Sequence, residues 1–202
     1  MDDLIRKIET ILYEKAIKME SVSIQEDLGA IIFESTLYKY SKDEKYKEKT
    51  KVLINKLIKV FPKSDFGAGF IEGFEGIYWA IFYAYKCNIL DSYDILADIE
   101  PYLFSSIEQD IENNNFDLLY GSIGKILFYL ESDLDIDKRN NLINKILISL
   151  FNNRIENEKG IFWYDIEEGE NLINLGIAHG LPSILIFLIR LKTVQYKNLE
   201  KV

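Results

Sequence analysis

The sequence has little with which to make a crosslink or hold a metal. Among 202 residues there is one cysteine, Cys87, and one histidine, His179. A single cysteine excludes an internal disulfide. One Cys and one His do not complete an ordinary zinc site from those ligand types. Positive charge is also short: 24 Lys and Arg stand against 33 Asp and Glu, a net charge of -9. Such a chain repels polyanions, so neither nucleic acid nor an anionic membrane is the expected partner. No window reaches the ~18 continuous apolar residues of a membrane span. The opening MDDLIRKIETILYEK carries acids where a secretory signal carries basic residues. The expectation is a cytoplasmic protein.

What is present suits one globular domain over residues 1–202, since 48% of residues are apolar and 28% charged. Only three prolines interrupt long periodic runs of Leu, Ile, Lys and Glu, which predicts an all-α fold. Tyr46, Thr50, Leu53, Leu57 and Phe61 recur at helical spacing, with Lys47, Lys51, Asn55 and Lys59 opposite. Leu142, Ile146, Ser149 and Leu150 form a second two-faced helix, with Asp135 or Asp137 as N-cap. Tyr93, Leu96, Leu103, Ile107 and Ile111 predict a third after Asp91. By contrast Gly73–Ala84, Ile123–Leu130 and Ile184–Leu191 are apolar almost all round, as interior helices are.

These interior segments repeat. Each begins at a glycine-led start: Asp27-Leu28-Gly29, Gly73-x-x-Gly76, Gly121-x-x-Gly124 and Gly180-x-x-Ser183. Gly29 and Gly76 are 47 residues apart, Gly76 and Gly124 are 48, and Gly124 and Ser183 are 59. Glycine at these points lets neighbouring backbones approach closely and is expected to leave helix N-terminal amides uncovered. The longer last interval holds Ile161-Phe162-Trp163-Tyr164-Asp165 between Gly-containing polar turns, which predicts a short β-hairpin. Two-helix units of this period build a solenoid or an α/α toroid. The apolar inner helices favour a partial α/α toroid with a short β-hairpin. Four inner helices do not close a six- or seven-unit ring, so the chain is expected to be truncated or the N-terminal half of a larger barrel.

His179 stands one residue before the fourth glycine start and Asp117 four residues before the third. Both therefore belong to the same end of consecutive units, where an imidazole and a carboxylate can divide acid and base roles. The plainer alternatives are a backbone-bonded histidine at a helix start and an aspartate N-cap. Glu26, Glu72 and Glu75 flank the first two starts. They are either rim carboxylates of a carbohydrate-processing α/α barrel or acids complementing helix dipoles. Cys87 reads as a small buried hydrophobe, Trp79 as core, and Trp163 as loop packing.

The segment Gly176-Ile177-Ala178-His179-Gly180-Leu181-Pro182-Ser183-Ile184 resembles the Gly-x-Ala-His-Gly-x-x-Gly-Ile signature of the LanC-like proteins, the lanthionine synthetase cyclases. Asp117-Leu118-Leu119-Tyr120-Gly121 and the repeated Gly-x-x-Gly-Ile starts are similar to that family too, so that the likeness runs from about Ser21 onward. Ser183 departs from the family's glycine. The resemblance implies a double-layered α/α toroid. It implies a reaction that closes thioether rings by adding a peptide Cys thiol to a dehydroalanine or dehydrobutyrine. It implies catalytic roles for His179 and Asp117 in proton transfer, and a thiol-activating zinc held by two cysteines and a histidine of the later units. None of those ligands is in this sequence. The expectation is therefore no cofactor in this chain alone and no zinc-dependent cyclase activity from it. The partners expected are a precursor peptide together with a C-terminal-half chain, or a second copy in a homodimer. The alternative is a non-catalytic peptide- or partner-binding module.

Overall fold

The computed structural model of the chain describes residues 3–18, 27–60, 74–97, 100–130, 135–167, 170–194 and 196. They form eight α-helices and four short strands, an all-α fold with small β-hairpins. Residues 1–101 and 102–202 make two compact units. None of the helices among the described residues is long and apolar enough to cross a membrane.

The first unit holds α1 (Asp3–Lys18), α2 (Gly29–Ser41), α3 (Glu44–Val60) and α4 (Phe74–Lys86). The glycine-led α2 packs against α3 and α4, and α1 lies on α2 and α3. On α3 the predicted face is the buried one: Tyr46, Thr50, Leu53 and Leu57 are all at most 2% exposed. Each such apolar side chain contributes roughly 1.5–3 kcal/mol by leaving water. Phe61 lies outside the described residues. On α4, Ile77, Tyr78, Ala80, Ile81, Phe82 and Ala84 are buried, as an interior helix requires.

The second unit begins within the first turn of α5 (Glu100–Glu112). It continues with α6 (Ser122–Tyr129), α7 (Ile136–Asn153), the hairpins and α8 (Leu181–Thr193). The glycine-led α6 packs against α7 and α8. Asp135 caps α7, accepting from the Asp137 and Lys138 amides at 3.1 Å each. The helix expected from Tyr93 onward is divided. A 3-10 turn spans Asp94–Leu96, and α5 starts only at Glu100. Pro101 accounts for this, because a residue without an N–H is tolerated in a first helical turn but not in a helix interior.

The expected hairpin is two hairpins. Strands β1 (Ile155–Asn157) and β2 (Gly160–Phe162) pair antiparallel with Ile155 opposite Phe162. Strands β3 (Asp165–Glu167) and β4 (Glu170–Leu172) pair with Asp165 opposite Leu172. Between the two hairpins stands Trp163, whose indole N–H donates to the Leu150 carbonyl on α7 at 2.8 Å. On α8, Ile184, Phe187 and Leu191 are buried but Leu185 and Ile189 are exposed, so this helix is interior on one side only. Beyond Thr193, the end of α8, only Val194 and Tyr196 are among the described residues. The Tyr196 hydroxyl donates to the Asn140 carbonyl of α7 at 2.9 Å.

Candidate functional site

Two loops of the second unit build the site, one leading into α6 and one into α8. They are stitched together by the Leu118 amide, which donates to the Ala178 carbonyl at 3.0 Å. Close packing of each loop over its helix depends on glycine. A Cβ on Gly124 would stand 1.8 Å from the Leu118 carbonyl oxygen, and one on Gly180 would stand 2.1 Å from the Asn174 carbonyl oxygen. Because the loops come this near, helix amides expected to be uncovered are occupied. Gly124 N–H donates to the Asp117 carbonyl at 3.3 Å and Leu181 N–H to the Asn174 carbonyl at 2.9 Å. Ser183, where the family signature has glycine, is 1% exposed. Its hydroxyl donates to the Gly180 carbonyl at 2.7 Å and reaches the Phe116 carbonyl at 3.3 Å, tying the two loops.

This framework brings the two residues singled out from the sequence together. His179 Nδ1–H donates to Asp117 Oδ2 at 2.5 Å. The other carboxylate oxygen, Oδ1, accepts from the Leu119 and Tyr120 amides at 2.6 and 2.7 Å. Asp117 is therefore not the N-cap of α6, a position held by Gly121. Its own tight turn fixes it and leaves one oxygen for the imidazole. That oxygen can only accept when ionised, which selects the Nδ1-protonated ring and leaves Nε2 for another partner. The His179 side chain is 42% exposed and that of Asp117 15%, so the pair opens outward.

Beside the pair is a pocket of about 170 Å³. Trp163 and Tyr164 line it together with the amide side chains of Asn113, Asn115 and Asn174. Amides can pair with a peptide backbone, and the rings offer flat apolar walls.

The remaining candidates lie elsewhere. Glu75, in the first turn of α4, is 2% exposed rather than displayed at a rim, and Glu26 and Glu72 lie outside the described residues. Cys87 is buried, and burial pushes its thiol above the ordinary range. Among the described residues no three His, Cys, Asp or Glu side chains converge to hold a metal. The zinc implied by the family resemblance therefore does not fit them: a thiol ligand must be deprotonated, which burial of Cys87 opposes.

Sequence reasoning missed three participants. Tyr120 stacks on His179 with ring centroids 5.8 Å apart. Asn115 and Asn174 each accept, through the side-chain oxygen, from the amide two residues on, at 3.3 Å from Asp117 and 2.8 Å from Gly176. Each also accepts, through its backbone carbonyl, from the first amide of the following helix, Ser122 or Leu181. Their signal was available: each asparagine stands six residues before its glycine, Gly121 or Gly180.

The chain matches the family described as "Lanthionine synthetase C-like protein" over residues 27–201. No individual curated protein matches it. The match takes in both helix starts of the Asp117–His179 site and most of the first unit, and the chain belongs to the lanthionine synthetase C-like family.

Proposed function

We propose that Asp117 and His179 are the proton-transfer pair of a lanthionine-forming cyclase site, acting on a dehydrated precursor peptide in the cytoplasm. The observation that carries this reading is the 2.5 Å contact between His179 Nδ1 and Asp117 Oδ2 beside an open pocket. Addition of a thiol to a dehydroalanine forms a C–S bond at Cβ and pushes the π electrons onto Cα and the carbonyl. The product needs a proton at Cα, and the thiol has one to lose. Asp117 holds the imidazole by its Nδ1–H and stabilises the imidazolium, so that Nε2 can hand a proton to Cα and be reprotonated by the proton the thiol gives up. Family members activate the thiol with zinc; residues 1–202, with one cysteine, do not hold the two cysteines of that site.

The test supplies the missing ligands. A polypeptide carrying the Cys and Cys-His units of the family is mixed with this chain, zinc and a dehydrated Cys-containing peptide. Ring closure leaves the peptide mass unchanged and removes one alkylatable thiol. The expected result is closure with the wild-type chain and little with His179→Asn. Equal closure with both would overturn the assignment.

A second reading is favoured by an apolar groove of about 460 Å³ on the second unit, lined by Leu147, Leu150, Phe151, Trp163 and Ile189 among others. On it the chain is a non-catalytic module that holds a peptide. Peptide binding without closure under those conditions, equal for wild type and His179→Asn, would select it.

A further inference from the structure

The helix read from sequence as apolar almost all round, α6, contains a buried cation. Lys125 is 3% exposed. Its ammonium pairs with Asp110 Oδ2 on α5 at 2.7 Å and donates to the Ser106 hydroxyl. Such a pair adds little net stability compared with an apolar replacement, so its retention calls for another explanation. The geometry around it gives one. Asp110 Oδ1 accepts from Asn115 Nδ2 at 3.1 Å, and the same amide nitrogen reaches the Tyr120 carbonyl at 3.4 Å. Asn115 Oδ1 accepts from Asp117 N–H at 3.3 Å. A carboxylate facing Nδ2 fixes which end of the amide is the donor, because it can only accept. The Asp110 backbone joins in, its carbonyl accepting from Asn115 N–H at 2.8 Å.

We propose that Asn115 is the positioning residue of the Asp117–His179 pair, with its amide held in register by the buried Lys125–Asp110 ion pair. Asn115 grips the loop at two points, the Asp117 amide and the Tyr120 carbonyl. Those two residues are the ones that contact His179, by hydrogen bond and by ring stacking. The Asn115 side-chain amide bonds to the Asp117 amide and the Tyr120 carbonyl, and it acts on the imidazole through those two residues. The charged and titratable groups set around the pair by the described residues are Tyr120 and Asp110 from the α5–α6 segment, Lys125 from α6 and Tyr164 from the hairpin segment. The ion pair is the only fixed cation–anion pair among them. The value of this positioning for proton transfer rests on the proposed function; the positioning itself does not.

A test independent of turnover uses the fact that His179 is the sole histidine. In the full chain labelled with ¹⁵N, the imidazole Nδ1–H bonded to a carboxylate gives a downfield proton resonance with no competing histidine signal. Asn115→Ala is expected to abolish that resonance. Asn114→Ala is the control for general loosening. It removes bonds to Ser149 and Asn153 from the neighbouring turn and is expected to leave the resonance in place. Asn115→Asp sets two carboxylates against each other and is expected to abolish the resonance. Adding Asp110→Asn to it restores a donor only at the 110–115 contact; the Tyr120 carbonyl still faces a carboxylate and Lys125 loses its counter-ion, so the resonance is expected to stay absent. Persistence of the signal in folded Asn115→Ala, or its equal loss in Asn114→Ala, would overturn the proposal. If Asn115→Ala fails to fold, Asn115→Asp decides: persistence of the resonance in that folded variant overturns it. A wild-type resonance together with no complemented ring closure would instead count against the proposed function.

Discussion

Tyr120 lies face to face with His179, its ring plane 8° from parallel and its centroid 5.8 Å away. With Asp117 bonded in the plane of the imidazole and Tyr120 against its face, two degrees of freedom of the ring are restricted at once. Stacking of this kind is worth about 0.5–1.5 kcal/mol, enough to bias a half-exposed rotamer but not to hold a fold. Tyr120→Leu is therefore expected to leave the unfolding midpoint nearly unchanged, shift the His179 ring proton resonances and lower complemented ring closure. Tyr120→Phe keeps the ring and is expected to behave as wild type. A Phe variant as impaired as Leu would assign the role to the hydroxyl instead.

At Gly124 the Asp117 loop lies directly against α6. Replacing it with alanine places a Cβ 1.8 Å from the backbone oxygen of Leu118, which cannot swing aside as a side chain can. Helix propensity favours alanine by about 1 kcal/mol, but overpacking costs about 1–3 kcal/mol and displaces the loop. The expected result is a lower urea midpoint and loss of the downfield His179 resonance. Serine at the equivalent position of α8 is accommodated, since Ser183 bonds to both loops. An alanine variant with undiminished stability and an intact resonance would show that the loop yields more easily than backbone packing suggests.

Metal content gives a third test. Cys87 is held neutral by burial and no three-ligand group is present among the described residues. After dialysis against a mild chelator, the purified chain is expected to retain far less than one equivalent of zinc. Retention near one equivalent would mean that residues beyond the described ones complete a site.

The sequence carried the skeleton of this arrangement through spacing. Glycine-led starts 47 and 59 residues apart marked helices that do pack side by side, α2 with α4 in the first unit and α6 with α8 in the second, and the starts of α6 and α8 put Asp117 and His179 at one end. What spacing does not reveal is pairing between distant polar groups. Lys125 sits in an apolar run and is tolerable there only because Asp110, on another helix, neutralises it. Glu34 is similar: on α2 it looks like an ordinary surface acid, yet it is 1% exposed. The division of the hairpin was hidden for the same reason, since the bond from Trp163 to Leu150 is a tertiary contact.

Glu34 yields the last prediction, on pH. Among the described residues no N–H or O–H donates to either of its carboxyl oxygens. Its polar neighbour is another acid, Glu9 of α1, with Lys49 and Lys45 of α3 nearby. Burial and the Glu9 carboxylate push Glu34 up to about 8. Burial also opposes ionisation of Glu9, but Lys49 and the hydrogen bond with Glu34 outweigh it and hold Glu9 below its ordinary value. The two acids thus share one proton over Lys49. In the unfolded chain Glu34 ionises near 4.5, whereas in the native state it keeps its proton until about pH 8. Between those values the folded state binds one more proton than the unfolded state. Stability therefore falls as pH rises from about 4.5 to about 8 and levels beyond it. The Glu9 contribution runs the other way and is lost only as pH drops below the ordinary carboxylate range. Glu34→Gln keeps the shape and removes the titration, so it is expected to flatten the fall and to be more stable than wild type at pH 8.5. Urea midpoints of both proteins at pH 6 and 8.5 measure this, and their difference cancels the groups they share. An equal fall in both proteins would place the proton elsewhere and return Glu34 to an ordinary buried carboxylate with an ion-pair partner.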